Sequence, residues 1–258
     1  MKAKAKILDI IDKRVMILDG ASGTELQKRG IPAGACPELW CLEEKKTLQA
    51  IHRDYCRAGS DIVFTCTFGA NIFKLSQYKA TNVTTVNREL ALLARQSVDD
   101  NTLVAGDIGP TGRFIEPFGD LGFDEAVDAF KDQVKGLIQG GVDLFIIETM
   151  MDIQEARAAL IAVKELSDLF CMVTMTYEDG GRTLNGTDPV SALITLQSLG
   201  ADAVGCNCST GPEGMIPPSA SMKPQATVPL VAKPNSGIPQ LESEKTFFDM
   251  TPETFGSH

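Results

Sequence analysis

Seven short apolar runs recur along this chain, and their alternation with amphipathic stretches restricts the fold more than any other feature. They are "VMILDG" (15–20), "DIVFTCT" (61–67), "TLVAGDIG" (102–109) and "DLFIIET" (143–149), then "FCMVTMTY" (170–177), "AVGCNC" (203–208) and "PLVAKPN" (229–235). Nearly every run is apolar at consecutive positions, so both faces of such a strand must be buried, as in a parallel sheet covered by helices. Helical patterns fall between most of them: Leu42–Ala58, Thr84–Val98, Phe123–Gln139, Asp152–Leu166 and Asp188–Leu199. Several end in glycine just before the next strand, as in "RAGSDIVF", "QGGVDLFI" and "SLGADAVG". Glycine tolerates the positive φ that ends a helix. Strand and helix in alternation give the α/β class.

The polar residues decide between a barrel and an open sheet. They cluster at the C-terminal ends of the runs: Asp19, Thr65 and Thr67, Asp107, Glu148, Tyr177, Asn207 with Cys208, and Lys233 with Asn235. An open sheet draws its site from two or three strands at a switch point, whereas a barrel gathers every strand end at one mouth. Polar groups at all seven ends predict a (β/α)8 TIM-type barrel, and 258 residues suit one such domain over 1–258. The barrel reads as incomplete at its C-terminus, with seven strands identifiable. Pro217, Pro218 and Pro224 argue against a full-length helix after the sixth run. Thr251 and Pro252 then have the form of an N-cap and first helical residue, and the chain stops about one turn later. That pattern predicts a truncated domain, and the closing "GSH" has the form of an appended tail.

Composition removes several functional classes. The net charge is −10 and no basic stripe is present to neutralise phosphates, so no nucleic-acid partner is expected. No run approaches the roughly 20 apolar residues of a membrane helix, so no membrane partner is expected either. The basic start "MKAKAKILDIIDKR" has too short an apolar stretch for a signal peptide. Seven cysteines, an odd number without a secretory signal, predict reduced thiols and a cytoplasmic location.

At the strand ends, Asp19 and Glu148 offer carboxylates to an ammonium. The Gly-rich turn Gly20–Thr24 offers backbone N–H groups to a carboxylate. Together they fit an α-amino acid, with Gly20, Ala21, Ser22, Thr24 and Thr67 expected to face it. Cys206 and Cys208 stand at i and i+2, which puts both on one face of a strand. They read as buried packing, a redox pair, or part of a metal site completed elsewhere. Lys233 suits either a Schiff-base nucleophile or an ion pair. Cys36 and Cys41 in "CPELWC" lack the spacing and the second pair of a metal site, and Cys56, Cys66 and Cys171 lie in core-like surroundings. His52, in "AIHRDY", reads as a solvent-side or capping residue of a helix.

Six motifs in order carry a resemblance: "LDGASGTELQKRG", "AGSDIVFTCTFGAN", "GDIGPTGRF", "IIETMMDIQEARAAL", "GADAVGCNCSTGP" and "VPLVAKPNSGIP". From about residue 13 onward the chain resembles the homocysteine-binding domain of cobalamin-dependent methionine synthases, within the homocysteine S-methyltransferase family. The resemblance implies a (β/α)8 barrel in which zinc binds the homocysteine sulfur and the thiolate attacks an activated methyl group, forming methionine. It implies Cys208 as one zinc ligand and Asn235 as an oxygen ligand when substrate is away. Asp19 and Glu148 match the positions that hold the substrate's amino group, and the turn Gly20–Thr24 matches the one that receives its carboxylate. Methylcobalamin, on another domain or protein, is the implied donor. The family's other two zinc ligands are an adjacent Cys-Cys pair in a Gly-Gly-Cys-Cys-Gly motif, which these residues lack. This chain alone is therefore expected to hold zinc weakly and to be inactive. Two other readings stay open: a noncatalytic barrel fragment or partner-binding module, and a barrel enzyme using Lys233 as a Schiff base.

Overall fold

The computed structural model describes residues 2–178, 180–237, 240–242, 245–248 and 250–257. Helix α1 (Lys2–Ile11) opens the chain, followed by α2 (Ser22–Lys28), α3 (Pro37–Glu43) and α4 (Lys45–Arg57). Then come β1 (Ile62–Phe64), a one-turn helix α5 (Ile72–Leu75), α6 (Val83–Ser97), β2 (Leu103–Ile108) and α7 (Phe123–Gln139). The alternation continues through β3 (Leu144–Met150), α8 (Ile153–Leu166), β4 (Phe170–Met175), α9 (Pro189–Ser198), β5 (Ala203–Asn207), α10 (Pro212–Met222) and β6 (Leu230–Lys233). A short antiparallel ribbon, β7 (Gln240–Glu242) and β8 (Lys245–Phe247), and helix α11 (Pro252–Gly256) complete the described elements.

β1 to β6 form one parallel sheet in sequence order. The first predicted run contributes a single parallel bridge, Leu18 to Ile62, beside β1. All seven predicted runs thus lie in register order, six as strands and one as a bridge. Side chains alternate across the sheet as strand geometry requires. Ile62, Phe64, Leu103, Ala105, Leu144, Ile146, Phe170, Met172 and Ala203 gather in one buried cluster. Their neighbours Val63, Val104, Phe145, Ile147, Cys171, Val173, Val204 and Cys206 pack instead against the helices.

The sheet curls on the first of these faces. The clearest sign is that Lys233, on the last strand, sets its Nζ 3.9 Å from the centroid of the Phe64 ring on the first. Helix α1 closes the opposite end: Ile7 is buried in the inner cluster, Ile11 packs against it, and Lys4 pairs with Asp202 just before β5.

Four expectations require correction. Helix α10 spans Pro212–Met222 despite Pro217 and Pro218 in its interior. Burial of Pro212, Met215, Pro218 and Met222 along one side outweighs the lost N–H donors. The helix expected over Leu42–Ala58 is two helices that break at Glu44, because Pro37 starts α3 upstream. His52 is buried, 1% exposed, since Leu48, Ile51 and His52 share the inner stripe of α4. Tyr177 packs among the helices rather than at the strand mouth, continuing the outward set. The capped helix start at Thr251 is present, its side chain accepting from the Thr254 N–H.

Candidate functional site at the C-terminal strand ends

The inward alternation that builds the core ends in a polar layer. One inward step beyond Ala105 stands Asp107; beyond Ile146, Glu148; beyond Val231, Lys233. Asn207 ends β5 on the same side. Asp19 joins from the first run, where its Oδ2 accepts the Phe64 N–H at 2.8 Å. Lys233 Nζ lies 3.4 Å from Glu148 Oε2. One ammonium therefore faces three carboxylates, those of Asp19, Asp107 and Glu148.

Burial sets the protonation of this layer. It raises the Asp19 carboxyl to about 7, against the opposing pull of Lys233 and the Phe64 N–H. It pushes Asp107 well above the ordinary carboxylate value, and the Glu148 charge adds to the effect. Burial alone would lower the Lys233 ammonium, but Glu148, Asp19 and Asp107 together raise it. A Schiff-base nucleophile needs a neutral amine with a depressed pKa. Lys233 is therefore an ion-pair lysine in this setting. Among the described residues, three buried oxygens in the layer have no hydrogen-bond partner: Asp19 Oδ1, Asp107 Oδ1 and Thr174 Oγ1.

Beside the carboxylates lies a strained junction. Thr149 and Cys208 adopt φ of 61° and 60°, a conformation costly for a β-branched residue such as threonine. Asn207 holds it in place: its Oδ1 accepts the Thr149 N–H at 2.9 Å and its Nδ2 donates to Thr149 Oγ1 at 2.7 Å. The same Nδ2 lies 3.3 Å from Cys208 Sγ. The positive φ also corrects the expectation that Cys206 and Cys208 share a face. Cys206 Sγ points into the helix layer, 3.7 Å from Ser219 Oγ, while Cys208 Sγ turns to the mouth, 3.7 Å from Thr149 Oγ1. Burial, then the Glu148 charge, raises the Cys208 thiol above its ordinary value. A crevice of about 180 Å³ runs beside it toward Tyr177, Met215 and Pro218.

The other predicted residues are placed as follows. Gly20 and Ala21 lead into α2, whose first turn holds Ser22 and Thr24 and has no side-chain cap. A Cβ on Gly20 would meet the Tyr55 ring at 2.8 Å, and Tyr55 Oη donates to the Ala21 carbonyl. Thr67 is fully buried, and its hydroxyl donates to the Asp107 carbonyl at 2.6 Å, so it supports Asp107. Asn235 donates its backbone N–H to the Thr210 carbonyl. "CPELWC" serves structure: Glu38 accepts from the Gly69 N–H and from Cys36, and Cys41 lies 3.9 Å from Cys66.

Sequence reasoning placed Asn207 at the mouth without a role and passed over Thr149 and Thr174. Period-two alternation from the buried positions of β4 would have found Thr174, but nothing local marks the turn at Thr149.

A catalytic zinc takes three protein ligands. Here Cys208 brings the mouth one thiol, Asn235 offers an amide, and Cys206 faces away. Among the described residues, no three His, Cys, Asp or Glu side chains are grouped to hold a metal ion. This donor set does not fit a catalytic zinc.

Comparison with known proteins gives the family and the fold. The chain is 30% identical to methionine synthase of Mycobacterium tuberculosis over 267 residues, which cover 96% of this chain and 22% of that protein. Methionine synthase of Mycobacterium leprae matches to the same extent. The chain thus spans about a fifth of the length of these relatives. The fold matches the homocysteine methyltransferase MmuM from Escherichia coli, in its metallated form, with a TM-score of 0.78 at 23% identity, covering 89% of this chain and 86% of that one. The profile of the homocysteine S-methyltransferase family matches residues 16–258, and the chain belongs to that family.

Proposed function

We propose that residues 1–258 form one homocysteine S-methyltransferase domain, that its curled six-stranded sheet and the bridged first run supply seven staves of a (β/α)8 barrel, and that the barrel mouth binds homocysteine for methyl transfer to its sulfur. The observation that carries this reading is the buried carboxylate layer, with Asp19 Oδ1 and Asp107 Oδ1 unpartnered, beside the Cys208 thiol. Buried polar atoms without partners are rare in finished structures and mark places where a ligand completes the bonding. A substrate ammonium does so here, held by Asp19 and Glu148. The uncapped first turn of α2, at Ser22 and Thr24, offers N–H groups to the substrate carboxylate.

With both ends of the amino acid fixed, its sulfur reaches toward Cys208, Asn207 and Thr149. Transfer forms a sulfur–carbon bond as the methyl–donor bond breaks with its electron pair left on the donor; the thiol proton is released to solvent, and the product is methionine. By resemblance the methyl donor would be methylcobalamin held on another domain or protein. Because the described donors do not fit zinc, no step is assigned to a metal.

Titration calorimetry tests the reading. Wild type should bind L-homocysteine at one site, and Glu148→Gln should weaken binding by about 1.5–3 kcal/mol, the worth of a charged hydrogen bond. Unchanged affinity in the variant removes Glu148 from the site. A second reading, a partner-binding module, draws on the apolar Val15 and Ile17, exposed by 79% and 52% beside the first strand. Concentration-dependent association in sedimentation would favour it.

A further inference from the structure

Asp107 carries chemistry that the motifs do not explain. Its backbone is fixed from both sides: its N–H donates to Thr65 Oγ1 at 3.0 Å and its carbonyl accepts from Thr67 Oγ1 at 2.6 Å. Thr65 and Thr67 are themselves fully buried and joined through their hydroxyls at 2.6 Å. Two side chains from the end of β1 are thus spent on holding this one residue at its height in the layer.

Its carboxylate is treated in the opposite way. Oδ1 is buried without a partner, and the charges of Glu148 and Asp19 act against it, opposed only in part by Lys233. A carboxylate kept only for packing would be better replaced by a neutral side chain, since burying like charges together is costly. Lys233 does not resolve the conflict. Its Nζ is drawn to Glu148 and rests on the Phe64 ring, and among the described residues Asp19 Oδ1 and Asp107 Oδ1 are left without a donor. A primary ammonium has three N–H donors, and Asp19 Oδ1 and Asp107 Oδ1 are two acceptors without donors beside the Glu148 carboxylate.

We propose that Asp107 is a further ligand of the substrate's ammonium, a specificity residue through which the mouth selects a primary amine over desamino and N-methylated analogues. The proposal rests on the reading of this mouth as an amino-acid site. It adds a carboxylate to the pair expected from resemblance, and it gives Thr65 and Thr67 the task of positioning that carboxylate.

The test compares wild type and Asp107→Asn on the full chain by calorimetry. The probes are L-homocysteine, L-homoserine, which keeps the ammonium but replaces the thiol, and 4-sulfanylbutanoate, which keeps the thiol but lacks the ammonium. The variant should lose about tenfold or more in affinity for both amino acids. It should bind 4-sulfanylbutanoate as wild type does. Equal loss for all three probes, or no loss for any, overturns the proposal. If L-homoserine binds wild type as tightly as L-homocysteine and both weaken in the variant, the ammonium ligand stands and the thiol reading fails. If wild type binds none of the three, both readings fail. Should the variant not fold, wild type decides alone: N-methyl-homocysteine should bind about tenfold or more weaker than homocysteine, and equal binding overturns the proposal.

Discussion

Replacing His52 by leucine should flatten the acid side of the stability profile. His52 is 1% exposed on α4, and neither ring nitrogen has a hydrogen-bond partner. Burial lowers its pKa to about 4, against roughly 6.5 for a free imidazole. In the folded chain the ring stays neutral down to about pH 4, whereas in the unfolded chain it takes a proton near pH 6.5. Between those limits the unfolded state binds more protons, so stability falls as pH falls through this window. The full difference corresponds to about 3 kcal/mol, and between pH 7.5 and pH 5 about 2 kcal/mol of it is lost. Urea unfolding of wild type and His52→Leu at pH 7.5 and pH 5.0 reads this directly. Groups remote from His52 titrate alike in both proteins and cancel in the comparison. Wild type should lose about 2 kcal/mol more than the variant on acidification. An equal loss in the two proteins would refute the argument, because it would mean that His52 has a partner or water that the packing denies it.

Two further outcomes follow from the same geometry. Pro217 is exposed inside α10 and lacks the backbone N–H that a helix interior uses, so Pro217→Ala should stabilise the chain, by up to about 3 kcal/mol. An unchanged or lower melting temperature would mean that the proline sets a bend the fold needs. After dialysis against zinc, the chain should retain well under one equivalent by metal analysis; a full equivalent that disappears in Cys208→Ser would show that the fold gathers donors beyond Cys208 and Asn235.

Much of this architecture was legible in the sequence because the relevant signals are local. Consecutive apolar residues marked five strands within a residue or two and the sixth, β1, three residues too long, and the polar residue ending each run marked the mouth. The same rule misplaced Tyr177, since two residues past the end of β4 it continues the outward set rather than the inward one. His52 was misread because its environment is set by the stripe of Leu48 and Ile51 on α4, which the imidazole's polarity hides. Helix α10 was missed because proline propensity is a local penalty, while burial of Met215 and Met222 is a tertiary gain. Thr67 faced the expected end of the sheet yet is spent on the Asp107 carbonyl, a pairing across 40 residues of sequence that no pattern reveals. The turn that parts Cys206 from Cys208 depends on a positive φ at a non-glycine residue. Asn207, 58 residues from Thr149, braces the adjoining strand end.

The central claim, that the mouth is a homocysteine site, is tested most directly by a crystal structure of the chain with L-homocysteine bound. The account predicts the ligand nitrogen within about 3.2 Å of the carboxylates of Asp19, Asp107 and Glu148, with its sulfur toward Cys208 and its carboxylate at the first turn of α2. A ligand bound in the reverse orientation, or seated in the crevice by Tyr177 with the carboxylate layer left open, would contradict it.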